Sequence, residues 1–457
     1  MRPLAEYRRL TSMSWDTTRR PRVLLAALAL IAALGIAALR VTTLSHIGGV
    51  RLSASWAMTD FRSNIYYPVR ALVDGVNPYD RASYRARYPE AETFPPFLPS
   101  TLLLHLPFGL LPLALAELAY VAFSIGLIVL VGRAVVRLNG VTSWASALFA
   151  AALVTLSRPG QWTLLLGQVA LQLALLSWVA LRFAQRSPWL SGLALGAATF
   201  KPTFGLPIAV LMLARGNVKA VGAGVLFALA LNLPIAAILE HRAGSLQRLV
   251  QDLGNPYHSW TGRSDSAPRS FYRIDLVALF GRMAGRPLSH GVEAVITILV
   301  LAVAALLIRR MRSAASTPGY QPLTEALICI ATLLCVHHLD YDLLLLALPL
   351  AALVYLPTPG LLESAAVRTG MLWLFALMAA NYASTRSVLD RFHPDTPLRF
   401  ALASANSLAL VLIFAIYGLT VLRWSSVRVS PALDDPARAD YPWGSAQSEV
   451  VRARDGG

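Results

Sequence analysis

Ionisable residues are sparse in this chain, and a few stand where chemistry is possible. Asp60 follows the apolar run 23–44, within AMTDFRSNIYYPVRALVDGVNPYD, residues 57–80. Beside a membrane surface and among Trp56, Met58, Phe61, Tyr66 and Tyr67, its carboxylate is partly withdrawn from water, the setting of a general base. Without that setting it is a solvated loop acid. Lys201 is one of two lysines among the 40 Lys and Arg residues, and it lies inside LALGAATFKPTFGLPIAVLML. An ionisable group at such depth faces a cavity or a partner, and a compact ammonium suits a phosphate; the alternative is a stem that snorkels to an interface. His337, His338, Asp340 and Asp342 crowd into HHLDYD, where two apolar runs meet. Imidazoles there can stabilise a departing phosphate, and aspartates at such a joint also serve as helix caps. Arg158, beside Pro159-Gly160-Gln161, is a second phosphate candidate, whereas His105, within LLLHLPF, reads as a packed residue.

The surrounding composition says what must hold these groups. With 56% hydrophobic residues, 14% charged residues and a mean hydropathy of +0.56, the 457-residue chain is too apolar for an ordinary soluble enzyme. Backbone groups in lipid must satisfy one another, and the apolar runs show no alternating β-barrel pattern, so an all-α polytopic membrane protein is expected. The net charge of +16 is spread over loops and tails rather than gathered with aromatics on one basic domain, which argues for membrane orientation and against nucleic acid. Cys329 and Cys335 lack metal-ligand spacing and read as buried thiols. The first run exceeds a signal peptide's apolar core and lacks a cleavage site, so it reads as an uncleaved anchor.

Keeping the loop arginines on one face predicts twelve crossings, near 23–44, 114–136, 141–157, 163–184, 189–200, 203–214, 218–239, 289–308, 322–337, 340–356, 368–388 and 399–421. The spans meeting at Lys201-Pro202 are short and read as a re-entrant hairpin or one kinked helix. The stretch 98–111, broken by Pro99 and Pro107, does not cross. A cytoplasmic tail (1–22), one membrane domain (23–422) with large outer loops at about 45–113 and 240–288, and a disordered cytoplasmic tail (423–457) complete the expectation.

The motifs also have a telling order. Asp60, Tyr66-Tyr67, Asp74-Gly75, Asn77-Pro78-Tyr79-Asp80 and Phe94-Pro95-Pro96 precede a proline-broken apolar stretch ending at Leu111; Gly167-Gln168, Lys201-Pro202 and His338-Leu339-Asp340-Tyr341-Asp342 follow. This order resembles the polyprenyl-phosphate-mannose-dependent α-mannosyltransferases of the glycosyltransferase C fold, which include the enzyme extending phosphatidylinositol mannosides in mycobacteria. Phe94 stands where that family has tyrosine. The resemblance implies about 12 transmembrane helices in the plasma membrane, both termini cytoplasmic and the active site outside. It implies inverting transfer of a hexose, foremost mannose, from a polyprenyl-phosphate sugar donor to a glycolipid or cell-wall glycan acceptor. Asp60 would then be catalytic, with Lys201, His337, His338 and Arg158 on the donor phosphate. Tyr66, Tyr67, Gln168, Asp340 and Asp342 are further site candidates, and Tyr257, Trp260 and Arg263 shape the acceptor loop. No cofactor and no metal are implied, since the D-x-D of Asp340 and Asp342 belongs to nucleotide-sugar enzymes of another fold.

A transporter or flippase without glycosyl transfer is the rival, since it too uses intramembrane Lys, Asp and His and broken helices. No internal repeat supports it, and the polar groups gather at outer helix ends.

Overall fold

A computed structural model describes residues 19–44, 57–89, 97–261, 270–312, 315, 319–356, 360–393 and 396–424. Phe94-Pro95-Pro96, Arg263 and both terminal tails therefore lie outside the described residues. Within them the regular elements are helical, apart from an isolated antiparallel bridge between Arg273 and Leu339.

Among the described residues five helices are long and apolar enough to cross a membrane: Arg20–Arg40, Leu113–Arg137, Val218–Ala243, His290–Arg310 and Pro397–Arg423. Their outward faces carry large apolar side chains such as Leu118, Leu233, Leu306 and Leu412, an exposure that suits lipid rather than water. The protein is an all-α polytopic membrane protein. Shorter apolar helices fill the spaces between, among them Trp144–Leu156, Pro202–Arg215 and Tyr320–Cys335, which buries both Cys329 and Cys335.

Small residues bring the helices close. A Cβ on Gly192 would lie 2.4 Å from Ala223 Cβ, and one on Gly196 would lie 2.8 Å from Gly224 O. The four-residue spacing of these glycines lets the Pro188–Ala198 helix lie against Val218–Ala243 at backbone distance.

Four sequence expectations change. The predicted span 163–184 is two helices, Arg158–Leu166 and Ala170–Phe183, bent by 119°. Its apolar composition is continuous, but Gly167 sits at φ 71°, which ends the first helix in a left-handed cap. The span 340–356 begins as a 3-10 turn, Asp340–Leu346, before the helix Ala347–Tyr355, and 368–388 gives way at Asn381 after the helix Ala365–Ala380. The polar segment after the first crossing is not an open loop. Thr59–Phe61, the π-helical turn Arg62–Tyr66 and Tyr67–Val73 run on as helix and bury Phe61, Ile65 and Val69.

Candidate active site

The bend at Gly167 builds the first part of the site. Met58, at φ 61°, donates its backbone N–H to Leu165 O at 2.8 Å, and Phe61 packs so tightly on the corner that a Cβ on Gly167 would lie 2.6 Å from its own. A non-glycine residue in the left-handed region is strained, and such strain concentrates at functional sites. The consequence is that Gln168 donates from Nε2 to Asp60 Oδ2. The half-buried Asp60 thus stands directly behind the loop that follows the bend.

The second part is assembled at the Lys201 break. Lys201 precedes the Pro202–Arg215 helix with an extended ψ of 96°, and its ammonium reaches both oxygens of Asp342, at 2.9 and 3.0 Å. Asp342 also meets His338 Nδ1 at 2.9 Å and accepts from Leu339 N at 3.1 Å, so it caps the 3-10 turn and holds the lysine together. His338 Nε2 lies 3.2 Å from Thr203 O, and the ring stands edge-on to Phe204.

The third part comes from residues 270–284, which return to the HHLDYD segment. Ile274 N donates to His338 O and Asp340 N to Tyr272 O, both at 3.0 Å, which zips residues 272–274 onto 338–340. Arg273 is then gripped through Nε and Nη2 by the two oxygens of Asp275, at 2.9 and 2.8 Å. Asp275 also caps the helix Leu276–Ala284 by accepting from Ala278 N.

These parts surround a cavity of about 540 Å³. Asn64, Gln168, Lys201, Thr203, Arg273, His337 and Tyr341 are polar members of its lining; Phe97, Val277, Val336 and Leu339 are apolar ones. The His290–Arg310 helix contributes His290, Glu293, Ala294, Thr297 and Ile298 to the lining. Its volume suits a sugar and a phosphate.

The candidates therefore separate. Lys201, His337 and Gln168 line the cavity, and Asp60 touches it through Gln168. His338 and Asp342 stand behind its wall, where they orient Lys201. Arg158 is elsewhere: it is 1% exposed, pairs with Asp340 at 2.7 Å and donates to Asn381 O and Ser384 Oγ. Asn406 completes Asp340 at 2.9 Å. A buried pair so enclosed ties four segments of the chain together and leaves no approach for a donor phosphate.

Asp340 and Asp342 do not converge on one point, because each answers a different cation. Tyr66 donates to Leu111 O at 3.2 Å and meets Tyr67 edge-on; neither lines the cavity. Tyr257 and Trp260 belong to the helix Leu246–Thr261. His105 is buried between Thr101 O and Gln172 Oε1, each at 2.9 Å, a packed residue as its setting predicts.

Outside the spans, Asp74 lies below the usual carboxylate range because the Tyr88 hydroxyl bonds it at 2.6 Å and Arg70 pairs with it. Burial, with that same bond, pushes Tyr88 up to about 12. Asp80 accepts from Ala82 N and caps Arg81–Arg87, and Asn77 Oδ1 accepts from Tyr79 N. These are turn and cap roles.

Arg273, Asn64 and Glu293 are cavity residues that the sequence reading missed. Asn64 was legible as the residue one helical turn beyond Asp60, had the segment been read as helix. Glu293 was legible as an acid just inside a span. Nothing in the sequence sets Arg273 apart from the arginines around it.

The glycosyltransferase family 87 model matches residues 93–336, more than half of the chain, and takes in Gln168, Lys201, Arg273 and Glu293 but not Asp60 or His338. No curated protein and no solved structure matches the chain. A helical membrane protein with a polar cavity among its helices, matched over this length, belongs to glycosyltransferase family 87.

Proposed function

We propose that this glycosyltransferase moves a hexose, mannose foremost, from a polyprenyl-phosphate donor to a lipid-linked or cell-envelope glycan acceptor at the outer face of the plasma membrane, within a glycosyltransferase C architecture. One observation carries the reading: the cavity is lined both by fixed cations and by a side chain on the exposed apolar face of a helix long enough to cross a membrane. Lys201 and Arg273 supply that charge, and the His337 imidazole lines the same cavity. Ile298 also lines the cavity and is 64% exposed. It lies eight residues into the His290–Arg310 helix, about 12 Å below its start. A phosphate held by the cations can therefore trail its apolar chain into the bilayer at that depth.

In this reading the acceptor oxygen attacks the anomeric carbon opposite the phosphate and passes its proton to Asp60. The bond from that carbon to the phosphate oxygen breaks, and the electron pair leaves with polyprenyl phosphate. That leaving group needs no proton, so one base and a few fixed cations suffice, unlike the two carboxylates of hydrolytic glycosidases. Gln168 keeps Asp60 at the edge of the cavity. Asp342 and His338 hold Lys201.

The test is to incubate purified protein with radiolabelled polyprenyl-phosphate sugars and extracted envelope lipids. Release of polyprenyl phosphate that depends on the acceptor is expected. Binding or movement of lipid without any transfer of label would instead favour a flippase.

A further inference from the structure

We propose that Glu293 is the carboxylate that recognises hydroxyls of the transferred sugar, an assignment that rests on the polyprenyl-phosphate donor reading. The cavity's charges come from different elements. Lys201 and Arg273 line it, each backed by a buried aspartate. Glu293 is the acid among the described residues that line it, and it comes from the first turn of a different element, His290–Arg310.

The charge is affordable there because helix N-termini favour anions. Its Oε2 lies 3.4 Å from Nδ1 of His290, which is itself 70% exposed in its side chain at the mouth. Oε1 has no protein partner among the described residues.

A carboxylate only accepts hydrogen bonds, so it repels a phosphate and welcomes hydroxyls, and its bonds to them are stronger than those of a neutral acceptor. The sugar of the donor is the hydroxyl-rich portion, and it must lie beside the phosphate. Ala294 and Thr297, the next lining residues along the helix, are small and leave room for a ring.

The experiment uses the full chain with polyprenyl-phosphate mannose, polyprenyl-phosphate glucose and the 2-, 3-, 4- and 6-deoxy mannose donors. In the unsubstituted protein, loss of the recognised hydroxyl should raise KM about 10- to 100-fold, the effect of one charge-assisted bond. Glu293→Ala should raise KM for the parent donor by a similar factor and become indifferent to that same deletion. Glu293→Gln, which keeps an acceptor oxygen, should fall between the two and carries the test where the alanine variant does not fold. Affinity for polyprenyl phosphate, which has no sugar, should stay unchanged in both variants. Equal sensitivity of variant and unsubstituted protein to every deoxy donor overturns the assignment. So does a fall in kcat at constant KM, which would put Glu293 in proton transfer. Failure of the unsubstituted protein to transfer from mannose and glucose donors alike overturns the donor reading itself, and this assignment with it.

Discussion

Gln168 Nε2 donates to the Asp60 carboxylate although 108 residues separate the two in the chain. The bond joins the helical segment after the first crossing to the corner at Gly167, and Gln168 lines the cavity while Asp60 stands behind it. An amide in that position orients one oxygen of a carboxylate and leaves its negative charge in place. That is what a base at the edge of a sugar site needs.

Asp60→Asn preserves the shape and removes the basicity. Turnover in the radiolabel assay should fall by roughly 10²–10⁴-fold, the usual effect of a positioned base, with donor binding retained. Asp74→Asn and Asp80→Asn should stay substantially active, because those side chains serve Tyr88 and a helix cap. Near-normal transfer by Asp60→Asn beside a dead Asp74 or Asp80 variant would show that another carboxylate is the base.

Lys201→Met should abolish most donor binding, and Lys201→Arg should retain part of it, since the charge survives while the geometry changes. The methionine also strands Asp342 in the interior, at a cost of about 3–5 kcal/mol. Pairing it with Asp342→Asn should restore thermal stability without restoring affinity for polyprenyl phosphate. Normal affinity in the double variant would remove Lys201 from the phosphate site.

The long crossings were legible because an unbroken apolar run of the right length admits one solution in lipid: 114–136 became Leu113–Arg137 and 289–308 became His290–Arg310. The bend in 163–184 was not, since hydropathy reports burial and is silent about a left-handed glycine. Lys201 stood out as a lone charge among apolar residues. Arg273 could not, because its place depends on a bridge to Leu339 that no local pattern encodes. The divergence of Asp340 and Asp342 has a simpler cause. On a 3-10 turn of three residues, positions i and i+2 point about 120° apart, so a spacing that suggests a metal pair delivers two carboxylates to different cations.

Arg158 and Asp340 should matter to stability rather than to the donor. Arg158→Met leaves a buried carboxylate unpaired and should cost about 3–5 kcal/mol, read as a lower Tm in detergent. Asp340→Leu added to it should recover much of the loss, because a well-packed apolar pair often replaces a buried ion pair at little cost. Loss of donor affinity at an unchanged Tm would return Arg158 to the phosphate site.

The arginine distribution predicts an orientation with both termini cytoplasmic. After replacement of Cys329 and Cys335, a membrane-impermeant thiol reagent applied to intact cells should label Ser83→Cys and should not reach Lys219→Cys or Ser12→Cys until the membrane is opened. Labelling of Ser12→Cys from outside would invert the topology and move the site to the cytoplasmic face.

Gly167→Ala tests the corner on which the Asp60–Gln168 bond depends. Its φ of 71° costs a residue with a Cβ about 1–2 kcal/mol, and the new Cβ would also meet Phe61 Cβ at 2.6 Å and Met58 S at 3.2 Å. Overpacking of that kind adds typically 1–3 kcal/mol and pushes the backbone aside. Gly75→Ala supplies the comparison: its φ is 84° and nothing lies within 4 Å of the added Cβ, so it carries the strain without the collision and lies away from the cavity. Gly167→Ala should therefore lower Tm more than Gly75→Ala and cut turnover, because any shift of the corner moves Gln168 off Asp60, whereas Gly75→Ala should leave turnover nearly unchanged. Equal turnover in the two variants would mean that the corner does not set the position of the base.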